Sequence, residues 1–171
     1  QSDEMEGRIG TGGANLSTSS LAYGGYVAAI DLAKALGKSD SIIQAYTDAK
    51  NSLREAIETY FGANVGGYKT YRYYDGHTTF RHWMCLPLTV GIYDRKDGVV
   101  KALTEQLWSE NGLLVEKGQN IFWDRGTLYG LRGIFQAGYG EQAYQLLSQY
   151  TQKRLLGDHV PYPVEAHPEG N

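Results

Sequence analysis

The chain has 171 residues, with 16 Lys+Arg against 19 Asp+Glu and a formal net charge of −3. That length suits one domain with a real hydrophobic core, and the charge balance lacks the basic excess of a nucleic-acid partner. The single cysteine, Cys85, excludes an internal disulfide framework and a Cys-rich metal site, and no apolar run reaches the roughly 18 residues of a membrane helix.

Fourteen Tyr, three Trp and 22 Gly stand out. Aromatic faces beside glycine backbone suit a sugar-binding cleft. They suit equally a helical core filled with Tyr and closed by Gly at helix ends. Residues 1–18 read as a Gly/Ser/Thr-rich loop carrying Asp3, Glu4 and Glu6. The chain starts at Gln1 without a signal-peptide pattern and stops in Pro168-Glu169-Gly170-Asn171, so we expect a processed product or a piece of a longer chain.

Tyr23, Tyr26, Val27, Ile30, Ala33 and Leu36 fall at helical spacing and predict a first helix over 19–36, stopped by Gly37. Ser39 or Asp40 caps a second helix over 40–61, with Ile42, Tyr46, Ala49, Leu53, Ile57 and Tyr60 as its stripe. The short connection makes the two an antiparallel hairpin. Residues 65–80 are rich in β-favouring aromatics and contain Asp75-Gly76. A strand or hairpin ending in that turn, or an extended aromatic loop, is expected.

The apolar run 80–92 contains Pro87 and predicts a buried, kinked helix. A fourth helix is expected over 98–108 and a turn at Gly112-Leu113-Leu114. A fifth helix begins near Asp124 and carries Leu128, Leu131, Ile134 and Phe135; a sixth covers 141–155. The pattern is all-α helical hairpins in sequence, without internal repeats, and its long loops gather at one end of the pairs.

Four scattered histidines, His77, His82, His159 and His167, form no metal-ligand pattern, so no metal and no cofactor are expected. What remains is carboxylates among aromatics in the long loops: Asp3-Glu4-Met5-Glu6-Gly7-Arg8, Trp123-Asp124-Arg125, and Pro163-Val164-Glu165. Glycoside hydrolysis needs two carboxyl groups across the scissile bond, one protonated and one charged. Each group has another reading. Asp124 fits a helix N-cap or a pair with Arg125, and the glutamates fit solvated surface charges. Tyr71, Tyr73, Trp83 and Trp123 fit sugar contacts or core aromatics.

The order of these segments, and above all Phe122-Trp123-Asp124-Arg125-Gly126 followed by Glu165-Ala166-His167-Pro168-Glu169-Gly170, resembles the six-hairpin glycosidases, the (α/α)6 toroids. The branch most similar contains processing α-glucosidase I and trehalase, with uncharacterised bacterial relatives. About six of the twelve helices of such a ring are recognisable, so the chain resembles a partial barrel.

The resemblance implies an inverting glycoside hydrolase with a carbohydrate substrate. Glu4 or Glu6 would be the general acid, with Asp3 also open, and Glu165 the base. Asp124 is a further catalytic candidate, and Arg8 and Arg125 join the aromatics as substrate contacts. In an inverting pair the carboxyl groups would stand roughly 6.5–9.5 Å apart. A half ring would expose apolar helix faces that invite a second copy or the missing half. The resemblance favours export, periplasmic or extracellular, over the cytoplasm. Two alternatives stay open: a sugar epimerase or isomerase using His82 with His159 or His167, and a non-catalytic carbohydrate-binding scaffold.

Overall fold

The structure, a computed structural model, describes residues 13–158. Helix α1 spans Leu16–Ala35 and starts three residues earlier than the hydrophobic spacing predicts. The reason is Asn15, whose side-chain oxygen accepts the Thr18 N–H at 2.8 Å and caps the first turn. Gly37, at φ +59°, ends it, and α2 follows over Asp40–Phe61.

Strands β1 (Gly62–Val65) and β2 (Tyr68–Tyr71) form an antiparallel hairpin with Val65 opposite Tyr68. Its turn is Gly66-Gly67, not Asp75-Gly76 as expected. Both turn residues have positive φ, 55° and 89°, which a two-residue hairpin turn of this hand demands and glycine supplies without strain. Asp75-Gly76 makes a separate bend after β2.

Residues 80–89 are all buried. They form a 3-10 turn, His82–Cys85, running into the short helix α3, Leu86–Thr89. Pro87 lies in the first turn of α3, where its missing N–H has no partner to lose, so it starts a helix rather than kinking one. Helix α4 (Lys96–Ala102) continues through a π turn at Leu103–Leu107. Trp108 then turns extended and opens β3 (Trp108–Ser109), paired with β4 (Gly112–Leu113), so the predicted helix stops one residue short. Helices α5 (Asp124–Gln136) and α6 (Gly140–Tyr150) follow, the latter prolonged by a π turn, Thr151–Asp158.

The packing is two rows of helices. Helix α1 lies along α2, and α5 along α6, as sequential hairpins. The segment 82–89 packs on α1 on one side and on α5 on the other, while α4 packs outside it on β2. The inner row is therefore α1, the 3-10/α3 segment and α5. Glycine sets how closely this row packs. A Cβ on Gly24 would stand 2.8 Å from Val90, and one on Gly133 would stand 3.2 Å from Leu88.

The inner row runs in one direction. Ser17 meets Tyr73 near the start of α1, His82 meets Gly126 at the start of α5, and Gly133 meets Cys85 further along. The first turns of all three inner elements thus lie at one end. This is the architecture of a partial α/α toroid.

Part of the predicted apolar stripes faces outward. Leu36 at the C-terminal cap of α1, Ile42 and Tyr46 on α2, and Leu128 and Phe135 on α5 are exposed, although their spacing predicted burial. A 3.6-residue period fixes which face is apolar and not whether a neighbour covers it.

Candidate functional site

The shared end of the inner row collects the aromatic and charged side chains of the connecting loops. Trp83, fully buried, comes from the 3-10 turn; Trp123, half-buried, comes from the residue before α5. Their rings are 6.3 Å apart and inclined at 65°. Tyr129, one turn along α5, meets Trp83 edge-on at 5.7 Å. The exposed Arg125 lays its guanidinium over both indoles, 5.9 Å from Trp83 and 5.5 Å from Trp123. The result is a rigid aromatic wall with a cation on its solvent side. The Trp83 indole N–H is buried and has no hydrogen-bond partner among the described residues.

His82 sits behind this wall, fully buried, its ring 4.2 Å from Trp83 and 5.7 Å from Trp123. Its Nδ1 lies 2.8 Å from the Val115 carbonyl, which can only accept, so Nδ1 carries the proton. Burial pushes its pKa down to about 3, against a weaker upward pull from Val115 and with Arg81 and Arg125 adding to the fall. The ring is neutral at any physiological pH. A buried neutral ring does not exchange protons near neutrality, and the partners that the epimerase alternative gives His82, His159 or His167, lie outside the described residues.

A charged cluster stands beside the wall. Arg81 pairs with Glu116 at 2.5 Å and lies over the Tyr73 ring. His77 Nε2 is 3.8 Å from the other Glu116 oxygen. Burial lowers the His77 pKa and Arg81 adds to this, while Glu116 opposes it. The cluster ties the loop after β2 to the loop after β4. Glu116, Arg81 and Tyr129 were not singled out in the sequence as site residues, and His77 entered only as one of four scattered histidines. Their pairing spans 35 residues in the case of Arg81 and Glu116, which no local pattern reports.

The other candidates separate. Tyr71 belongs to the core: it is 3% exposed, its hydroxyl donates to Glu58, and Arg95 covers its ring. Tyr73 is 1% exposed, shares a 3.2 Å hydrogen bond with Ser17 and supports Arg81 from below. Asp124 is not an N-cap, since Trp123 holds that position; it is the first helical residue of α5. It is buried, accepts a hydrogen bond from Tyr150 and lies 3.6 Å from the buried Arg154. Asp3, Glu4, Glu6, Arg8 and Glu165, with His159 and His167, lie outside the described residues. Among the described residues no cluster of His, Cys, Asp or Glu fits a metal ion, and no helix is long and apolar enough to cross a membrane.

No family model and no curated protein matches the chain by sequence. Among solved structures, the chain is similar to the neutral trehalase Nth1 from Saccharomyces cerevisiae, with a TM-score of 0.70 at 13% identity. The match covers 90% of this chain and 34% of that one, so the chain spans about a third of the length of its structural neighbour. At that identity the likeness establishes the fold.

Proposed function

We propose that this chain is part of a glycoside hydrolase, acting on a carbohydrate through a carboxylate pair with inversion. The observation that carries the reading is the half-buried Trp123 under the exposed Arg125, backed by the buried Trp83 and by Tyr129, at the shared end of the inner helices. Flat aromatic faces bind the apolar faces of a pyranose, and a cation beside them binds its hydroxyls. The likeness to a trehalase fold supports the same reading.

In this proposal Trp123 and Arg125 are substrate contacts, and Trp83, named with them in the sequence, is fully buried and backs them. Glu4 or Glu6 supplies the acid, with Asp3 as the alternative, and Glu165 the base that activates water. Arg8 is a further contact. The charged Arg81–Glu116 pair holds the loops that frame the site. The substrate class is an α-glucoside, by the resemblance to α-glucosidase I and trehalase.

The test is hydrolysis of trehalose and a panel of nitrophenyl glycosides by the chain and by Glu165→Gln. The proposal expects turnover in the first and its loss in the second, with inversion at the anomeric carbon by NMR. Turnover indifferent to Glu165→Gln would overturn the residue assignment. Sugar binding without turnover would make the chain a binding module.

A further inference from the structure

We propose that His82 is the positioning residue of this site, setting the angle and spacing of the Trp83–Trp123 wall through one fixed hydrogen bond. The inference rests on the reading of that wall as a sugar platform. At His82 three segments of the site meet. Its backbone N–H and its Nδ1–H both donate to the Val115 carbonyl, at 3.2 Å and 2.8 Å, which pins the loop that presents Glu116. Its ring faces Trp83 within the 3-10 turn and Trp123 at the head of α5.

On the far side the ring is wedged against α5. A Cβ on Gly126 would stand 2.5 Å from Cδ2 and 2.7 Å from Nε2 of His82, so the absence of a side chain there makes room for the imidazole. The Nε2 lone pair has no partner among the described residues, so there the bond at Nδ1 is the ring's hydrogen bond and the close fit against Gly126 completes its hold. Because the ring is neutral, this tautomer does not change across the pH range in which a glycosidase works.

The arrangement also explains why a histidine stands here. A hydrocarbon of the same size would fill the space but lose the bond to Val115. An asparagine keeps a donor near the Nδ1 position and loses the ring contact. A displacement of about 1 Å in a platform that orients substrate can cost about a hundredfold in rate, which is the scale of effect that a positioning residue controls.

The test uses three variants and two readouts. The coupled-indole circular dichroism of the Trp pair, identified by its loss in Trp123→Phe, reports the wall without any ligand. Quenching of indole emission by trehalose and by nitrophenyl α-glucoside reports binding. His82→Ala and Gly126→Ala are expected to lose most of the indole couplet and to weaken sugar affinity about tenfold or more. His82→Asn should keep at least half of both, and the wild-type couplet should stay constant from about pH 5 to 8.

A wild-type couplet and affinity in both His82→Ala and Gly126→Ala would overturn the proposal. So would a couplet that titrates near pH 6.5. If His82→Ala fails to fold, the contrast between Gly126→Ala and His82→Asn decides, with an equal loss in both counting against it. If the wild-type chain shows no response to either sugar, the reading of the wall as a sugar platform fails, while the couplet still tests whether His82 sets its geometry.

Discussion

The Tyr150 hydroxyl donates to the Asp124 carboxylate across the α5–α6 interface, and the Arg154 guanidinium stands 3.6 Å from the same carboxylate oxygen. Both charged side chains are buried, at 0% and 2% exposed. Burial, reinforced by Asp124, raises the Tyr150 pKa, so the hydroxyl remains a donor. The group locks the start of α5 to the end of α6. Asp124→Asn removes a carboxylate from beside a buried guanidinium and weakens the acceptor of the Tyr150 hydroxyl, and the expected cost is about 1–3 kcal/mol. Tyr150→Phe removes one donor from a buried carboxylate and should cost about 1–3 kcal/mol. Urea unfolding measures both. An Asp124→Asn variant of wild-type stability that has lost glycoside turnover would instead make Asp124 a catalytic group.

The helices were legible because their signals are local. Gly37 and Ser39 bracket the first turn, and α2 runs over the predicted span to the residue. The site was legible in one part only. Trp83, Trp123 and Arg125 were all named in the sequence, and the structure brings the three side by side. The Glu116–Arg81–His77 cluster was not legible, because its members come from two loops that only the tertiary fold brings together. Tyr71 misleads for a related reason. A tyrosine in an aromatic loop looks the same in sequence whether its hydroxyl faces a ligand or Glu58.

Acid should weaken the fold in a way that His82 dominates. Its folded pKa, about 3, lies below the ordinary histidine value of about 6.5, and that of His77 is lowered as well. A base with a depressed folded pKa contributes stability that is fully present above its unfolded pKa and is lost as pH falls toward the folded one. Unfolding therefore takes up protons between about pH 6.5 and 3, close to one from His82 alone. Urea midpoints at a series of pH values should fall across this window. The slope should be shallower in His82→Asn by about one proton; equal slopes would mean that His82 is already charged in the folded chain.

Two glycines should respond in opposite directions to the same substitution. A Cβ on Gly98 in α4 would stand 2.0 Å from the Lys69 carbonyl oxygen, and that oxygen belongs to the β2 backbone, which cannot rotate aside. Gly98→Ala should destabilise by about 3 kcal/mol or more. Gly25, in the middle of α1, has nothing within 4 Å of its Cβ position and is not among the positive-φ glycines. Gly25→Ala should stabilise by about 0.5–1 kcal/mol through the lower entropy of the unfolded chain. Thermal melts of the two variants check the pair. A stable Gly98→Ala would show that α4 does not press on β2 as closely as the structure has it.

The exposed apolar side chains at the two flanks of the helical array give the last prediction. On α1 and its C-terminal cap, Leu21, Leu32 and Leu36 are 44%, 60% and 62% exposed, and their spacing puts them on one face. At the other flank Leu128, Phe135 and Tyr144 are 40%, 39% and 67% exposed. Leucines this open gain little from the fold, so replacing them costs little: Leu32→Lys with Leu36→Lys should leave stability within about 0.5 kcal/mol per site. Each exposed side chain presents apolar surface, which water disfavours by about 25 cal/mol for each Å². The chain should therefore self-associate as its concentration rises and bind a hydrophobic dye, and the double lysine variant should do both less. Sedimentation velocity over a concentration series decides. A chain that stays monomeric at every concentration, with or without the lysines, would show that these faces are too small or too divided to drive association.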